Sequence, residues 1–447
     1  MARQPTTHTT LADWAACEAL SFSLDSSGTF DTAVDTLIAA LGDAVEVLGF
    51  GEGLHGGEEI LQLRNRLFQR LVAEHGYSAI AIESSFPRGR AVNEYVAGRG
   101  PASYEAVQET GFSHDFGRLE ANRELVEWMR RHNADPTHRI KLRFYGFDSP
   151  TEATSTDSPG PILRFVLDYL AAIDGEGSQQ RRDQIESLLG SDAEWENPAA
   201  LMDPAQGVGL SPAATALRIA AEDLTTELLI RRPELVARSD REHYLEAVQY
   251  ASVARQLLNY HAALARNSDT RLAELLGIRG VMMADNLVYL LGRERGRGKI
   301  LAFAHNGHVQ RRQNEWQLGP QLNRWWPAGA HLDVLFGAGY ASVGSGLGIS
   351  EENGIGQPEP GTLEALLTGL PEFGRFIPTH QGQGQPAPAA EIAALPTRSG
   401  SRLNSSYSAL GPASFTDFDW LVILESISYN RGGPPLQHWT ANADTSF

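Results

Sequence analysis

Val45-Glu-Val-Leu-Gly-Phe50, followed at once by Gly51-Glu-Gly-Leu-His-Gly-Gly-Glu-Glu59, is the stretch from which the fold can be read. A short apolar run rich in Val and Phe is too brief for a helix and reads as a buried strand. The glycine-rich turn after it carries Glu52 and His55, and an amphipathic pattern then begins. The same grammar recurs along the chain. Ser78-Ala-Ile-Ala-Ile82 runs into Glu83, Leu142-Arg-Phe-Tyr-Gly-Phe147 into Asp148, and Lys299-Ile-Leu-Ala-Phe-Ala304 into His305. Asp333-Val-Leu-Phe-Gly-Ala338 runs into Gly339 and Tyr340, and Asp419-Trp-Leu-Val-Ile-Leu424 into Glu425. All six are read as strands.

Helical patterns lie between the first several runs. Ile60, Leu63, Leu67, Leu71 and Val72 repeat at helical spacing over Glu58 to Glu74, with basic residues assigned to the opposite face. Leu125, Val126 and Met129 do the same within Arg118 to Asn133. Alternating strand and helix implies an α/β fold with a mostly parallel central sheet flanked by helices. Pro161 to Ala172, Gln179 to Leu189, Ala213 to Ile230, His243 to Arg266 and Arg271 to Leu291 also read as helices, with little strand character among them. They form an inserted helical subdomain expected to cover the carboxyl ends of the strands, as a lid or specificity wall or as a packing layer on the sheet. The expected division is a first part of the core over 1–148, the insertion over 149–298, and the rest of the core over 299–447. Gly344 to Gly361 and Gln381 to Gly400 are rich in small residues and read as surface loops.

The 447 residues are 42% hydrophobic and 21% charged, an ordinary globular composition. A formal charge of -18 without a basic face argues against nucleic acid as a partner. One cysteine excludes an internal disulfide and a multi-cysteine metal site. Cys17 lies in an amphipathic stretch and is assigned to the core. The polar first ten residues lack a signal-peptide core, and no eighteen-residue apolar run suggests a membrane partner. The expected setting is the cytoplasm. The oligomeric state is not legible, and a monomer is the simplest expectation.

In open parallel sheets, ligands bind beyond the carboxyl ends of the strands. Here those ends carry Glu52, Glu83, Asp148 and His305. Glu52 and His55 are close enough in sequence to face one cleft, and a carboxylate beside an imidazole fixes its tautomer and raises its basicity. Ala304-His-Asn-Gly-His-Val309 places His305 and His308 three apart at a helix start. By ligand type, Glu52, Glu83, His305 and His308 also suit a metal. Their spacing is not that of the common zinc signatures, which favours metal-independent acid–base chemistry. No Gly-x-Ser-x-Gly elbow or phosphate-loop spacing occurs, so water is the simpler nucleophile and nucleotide binding is rejected.

Several motifs together resemble the erythromycin esterase family. They are Gly51-Glu-x-x-His55, Arg64 on the following helix, Ala81-Ile-Glu83, Phe144-Tyr-Gly-Phe-Asp148, Arg279 with Met283, Ala284 and Asn286, and Ala304-His-Asn-Gly-His-Val309. The resemblance runs from about residue 30 to about 430. It implies a hydrolase of esters or lactones, macrolide antibiotics such as erythromycin among them, and hence antibiotic resistance. It also implies His55 as the base that activates water, with Glu52 and Glu83 orienting or balancing it. Arg64, His305 and His308 would complete the site, with no metal or organic cofactor. Arg279 is followed by Gly280 where family members often carry an acidic residue, a departure that leaves a role for an Arg–acid pair there open without touching the main cluster. A metal-dependent hydrolase or lyase and a non-catalytic binding protein are the competing readings.

Overall fold

The computed structural model describes residues 10–151, 155–318, 320–379 and 386–434. Ten strands occur among them: β1 Leu20–Phe22, β2 Val47–Glu52, β3 Tyr77–Ser85, β4 Arg143–Asp148, β5 Lys299–His305, β6 Asn314–Leu318, β7 Gln321–Trp325, β8 Tyr340–Ile349, β9 Gly374–Pro378 and β10 Trp420–Ser426. Eight of them form one sheet in the order β1-β9-β10-β8-β2-β5-β3-β4. The six from β10 to β4 run parallel, while β9 is antiparallel to both its neighbours. β6 and β7 make a separate antiparallel hairpin.

Successive side chains of a strand point to opposite faces, so a strand apolar throughout must be covered on both. Leu48, Phe50, Ile80, Ile82, Phe144 and Phe303 pack on one side with helices Glu58–Glu74 and Glu120–Ala134. Ala79, Ala81, Phe147, Ala302 and Ile423 pack on the other with helices Gly160–Asp174, Pro212–Ile230, Arg241–Leu264 and Arg271–Glu294. The helical insertion is therefore a full layer on one face of the sheet, and its last helix also reaches the strand ends. By length and composition that helix, Arg271–Glu294, could cross a membrane, but half of its most apolar window is buried within the protein.

Several expectations change. Asp333–Ala338 is not a strand: Ala328–Phe336 is helical, with Ala328, Ala330 and Leu332 buried and Val334 and Leu335 exposed. The strand is β8, starting at Tyr340, so the segment from Gly344 begins as a fully buried central strand and not as a surface loop. Within 381–400, residues 381–385 lie outside the described residues, and Ala389–Ala393 is a short helix that buries Ile392. Cys17 is exposed, because helix Leu11–Glu18 buries Leu11, Trp14, Ala15 and Glu18 and turns position 17 outward. In helix Glu58–Glu74 the basic residues do not share the outer face: Arg64 is buried beside Ile60, Leu67 and Leu71.

Candidate active site

β2, β5, β3 and β4 are consecutive neighbours, and near their carboxyl ends stand Glu52, His305, Glu83 and Asp148. Glu52 and His305 are paired in register. A register irregularity between Ile82 and Ser85 interrupts the β3–β4 ladder at Glu83, where the carboxylate leaves the sheet to meet the other groups.

Gly51 is what lets the turn after β2 sit against β5. A Cβ there would stand 2.2 Å from Asn306 Oδ1. Asn306 lies across β2, donating from Nδ2 to the Ser345 carbonyl (2.7 Å) and accepting the Ser345 N–H (2.9 Å). The strand-end loops of β5 and β8 are thereby tied over β2.

The turn delivers His55 to Glu52. His55 Nδ1 donates to Glu52 Oε1 at 2.7 Å. Its backbone is held by a distant loop: His55 N–H donates to Ser406 Oγ (2.9 Å), and Asn404 Nδ2 donates to the His55 carbonyl (2.7 Å). The His55 and His305 ring centres are 5.2 Å apart. Burial works to lower the pKa of His55, but Glu52 and then Glu83 outweigh it and raise it from 6.5 to about 9.

His305 is fixed in the opposite state. Its Nε2 faces the Ser406 carbonyl at 2.8 Å and must carry the proton. Its Nδ1 accepts the Gly307 N–H at 3.2 Å. Burial, helped by the nearby His55 charge, pushes its pKa down to about 3. His305 is thus neutral with both nitrogens engaged. Its backbone N–H donates to Glu83 Oε2 (2.7 Å).

Glu83 is the hub. His308 Nε2 lies 3.1 Å and Arg279 Nη2 2.9 Å from its Oε1. Burial would raise its pKa, yet His308, His55 and Arg279 hold it well below the ordinary carboxylate range. Arg279 also forks onto Asp148, Nε to Oδ1 at 2.9 Å and Nη2 to Oδ2 at 2.6 Å. Both acids are buried, and both raise the guanidinium pKa against its own burial. Arg–acid pairing therefore does occur at this position. The partners come from β3 and β4, so the glycine at 280 has no bearing on it. Gly280 lies instead against the Trp326 carbonyl, where a Cβ would stand at 2.5 Å.

Arg64 sits in the wall of a narrow pocket that Glu52, His55 and Glu83 also line. Its Nε and Nη2 donate to Asn65 Oδ1 (3.1 and 2.8 Å), and its guanidinium lies 4.7 Å above the Phe303 ring. Burial lowers its pKa to about 10, which leaves it charged at neutral pH. Phe116, Leu119, Asn122 and Asn430 complete the pocket on the side away from the strands.

All six residues expected at the site, His55, Glu52, Glu83, Arg64, His305 and His308, therefore converge. Sequence reasoning left out Arg279 and Asp148, although both stood in the motifs it noted. It also missed His114, whose Nε2 is 3.5 Å from Asp148 Oδ2 and whose φ is +59°. Ser406 and Asn404 had no local signal, since they reach His55 and His305 from a loop distant in sequence. As to a metal, Glu83 is shared among Arg279, His308 and a backbone N–H, and both His305 nitrogens are committed, so the proposed ligand set has few lone pairs left. Among the described residues no group of three or more His, Cys, Asp or Glu is arranged to hold an ion.

A family model described as erythromycin esterase matches residues 72–424. An Escherichia coli erythromycin esterase type II is 23% identical over 310 residues, covering 68% of this chain and 69% of that protein. Three solved structures share the fold. A Bacillus cereus protein has a TM-score of 0.73 at 18% identity, covering 96% of this chain and all of that one. A succinoglycan biosynthesis protein has 0.69 at 18%, covering 95% and 98%. An erythromycin esterase mutant, EreC, in its open conformation has 0.63 at 17%, covering 88% and 94%.

Proposed function

From its membership of the erythromycin esterase family, to which this chain belongs, we propose that the protein hydrolyses an ester or lactone, a macrolide among the candidates, with a water molecule activated by His55. The observation that carries this reading is the state of the His55 ring. Nδ1 is locked to Glu52, and Nε2 makes no hydrogen bond among the described residues while His55 lines the pocket. An imidazole oriented by a carboxylate, with its second nitrogen unengaged, suits proton removal from water. Glu52 stabilises the imidazolium that forms, and Glu83 adds its field.

Attack on the carbonyl places negative charge on its oxygen. His305 is neutral and committed, and His308 Nε2 is committed to Glu83. Arg64 remains as the donor: its Nη1 makes no hydrogen bond among the described residues. A donor aimed at a developing oxyanion contributes about 3 kcal/mol to transition-state stabilisation. No covalent serine or cysteine intermediate is invoked. The substrate is a small molecule, and a full macrolide is too large for this narrow pocket alone. It would bring its ester to the pocket mouth, with the rest of the ring against surrounding walls.

The test is mass spectrometry of a panel of macrolides and simple lactones for the gain of one water. Wild type with chelator present should convert at least one of them, and His55→Asn should not. Conversion by His55→Asn at the wild-type rate, or activity lost to chelator and restored by a metal, would count decisively against the reading.

A further inference from the structure

Two polar atoms in the pocket wall are not accounted for by the chemistry above. Asn122 is 2% exposed and Asn430 is 7% exposed, and the Oδ1 of each is buried with no hydrogen-bond partner. Both residues line the same pocket as Glu52, His55 and Arg64. The Asn122 amide cannot simply be turned around, because its Nδ2 donates to the Phe116 carbonyl at 2.8 Å. The oxygen is thereby fixed as the end left over.

Asn430 is brought in by a strap from the far end of the chain. Tyr429 bridges to Gly57. Arg431 Nε donates to Glu58 Oε1 (2.8 Å), and the Arg431 carbonyl accepts the Glu120 N–H (3.0 Å). The strap thus lies across the starts of helices Glu58–Glu74 and Glu120–Ala134 and sets position 430 opposite the catalytic turn. A buried acceptor without a donor costs about 1–3 kcal/mol, and native structures seldom leave two in the lining of one pocket without a use. Of the other lining residues, Leu61, Ile82, Phe116, Leu119 and Phe303 offer no side-chain donor, and the Arg64 guanidinium makes no hydrogen bond to either amide oxygen.

The geometry points to a substrate subsite: Asn122 and Asn430 accept a hydrogen bond from a hydroxyl group that the substrate carries close to its ester carbonyl. This rests on the hydrolase reading above and narrows it to hydroxylated esters and lactones. Arg64 supplies a donor for the carbonyl oxygen, while the two amide oxygens supply acceptors for the neighbouring hydroxyl. The site thereby discriminates by chemistry and not by ring size. The same acceptors could instead hold the attacking water, and the two sources of an O–H donor behave differently on mutation.

The experiment uses the full chain with γ-butyrolactone and its α- and β-hydroxy derivatives, in wild type, Asn122→Leu, Asn430→Leu and Asn122→Asp. The last variant keeps an acceptor while losing the same Phe116 hydrogen bond as Asn122→Leu, which separates the acceptor from that structural contact. Binding is read by ligand-observed NMR and hydrolysis by pH-stat, with urea midpoints verifying the fold. Wild type should favour a hydroxylated lactone at least about tenfold in binding or in kcat/KM. Both leucine variants should bring that ratio close to one, whatever their effect on the unsubstituted lactone. Hydroxyl-selective binding without turnover would support the subsite while removing the hydrolase reading. A ratio that stays fixed while both substrates slow equally would assign the oxygens to water and overturn the proposal. Equal binding of all three lactones to wild type, or of none, would overturn it as well.

Discussion

Replacing His55 by asparagine should change the way stability depends on pH, by an amount that can be worked from the site. The folded protein holds this imidazole at about 9, against 6.5 for an unperturbed one. That difference corresponds to about 3 kcal/mol favouring the protonated folded state. The side chain is 22% exposed, so solvent screening trims the figure but does not abolish it. Because the pKa is raised, the stabilisation is complete below pH 6.5 and is lost as pH climbs to about 9. Urea denaturation of wild type and His55→Asn at pH 6 and pH 9.5 isolates the effect, since other titrating groups largely cancel in the difference. The wild-type advantage should be larger at pH 6 by about 2–3 kcal/mol. An advantage that is flat across this range, or larger at pH 9.5, would refute the assigned charge state. The same proton governs catalysis if His55 is the base. Turnover should then rise about 50-fold from pH 7 to pH 9 as the neutral imidazole becomes available.

His305 should show no titration above pH 4 in side-chain nitrogen NMR and should carry its proton on Nε2, as its Ser406 contact requires. Arg279→Met should cost about 3–5 kcal/mol by urea denaturation, because Glu83 and Asp148 would be left buried without their shared cation. Arg279→Lys should recover only part of this, as one ammonium cannot reproduce the fork onto Asp148. Gly51→Ala should cost about 1–3 kcal/mol and displace Asn306, visible as lost amide-exchange protection at Ser345.

The parts of this fold that sequence made visible are those where one residue type serves both local structure and chemistry. Strand-end acids and histidines stood out because an apolar run stops abruptly at each of them. Helices of the insertion were legible because their burial follows helical periodicity. β8 was not, because it alternates glycine with other residues. Those glycines are demanded by neighbours: a Cβ at Gly344 would meet Phe418, at Gly346 Leu410 and at Gly348 the Glu425 carbonyl. Tight packing of this kind has the same composition as a loop. The 333–338 run misled in the opposite direction, since a few apolar residues fit strand and helix equally and Val334 is in fact 85% exposed. Arg64 lines the pocket, a place suggested by the family resemblance and not by periodicity, which put the basic residues on the outer face of the helix. Ser406 and Asn404 were beyond reach, because their contribution depends on where a long loop returns.

Arg279 belongs to the inserted helices, whereas the two carboxylates it neutralises belong to the sheet. Anyone recombining this scaffold, by grafting the insertion of one relative onto the core of another, would transfer a structural counter-ion along with the helices. A transplanted insertion without a guanidinium at that height would leave the core carrying two stranded negative charges. The boundary that is convenient for cutting the gene is therefore not a boundary in electrostatics, and successful chimaeras will be those that preserve the pairing across it.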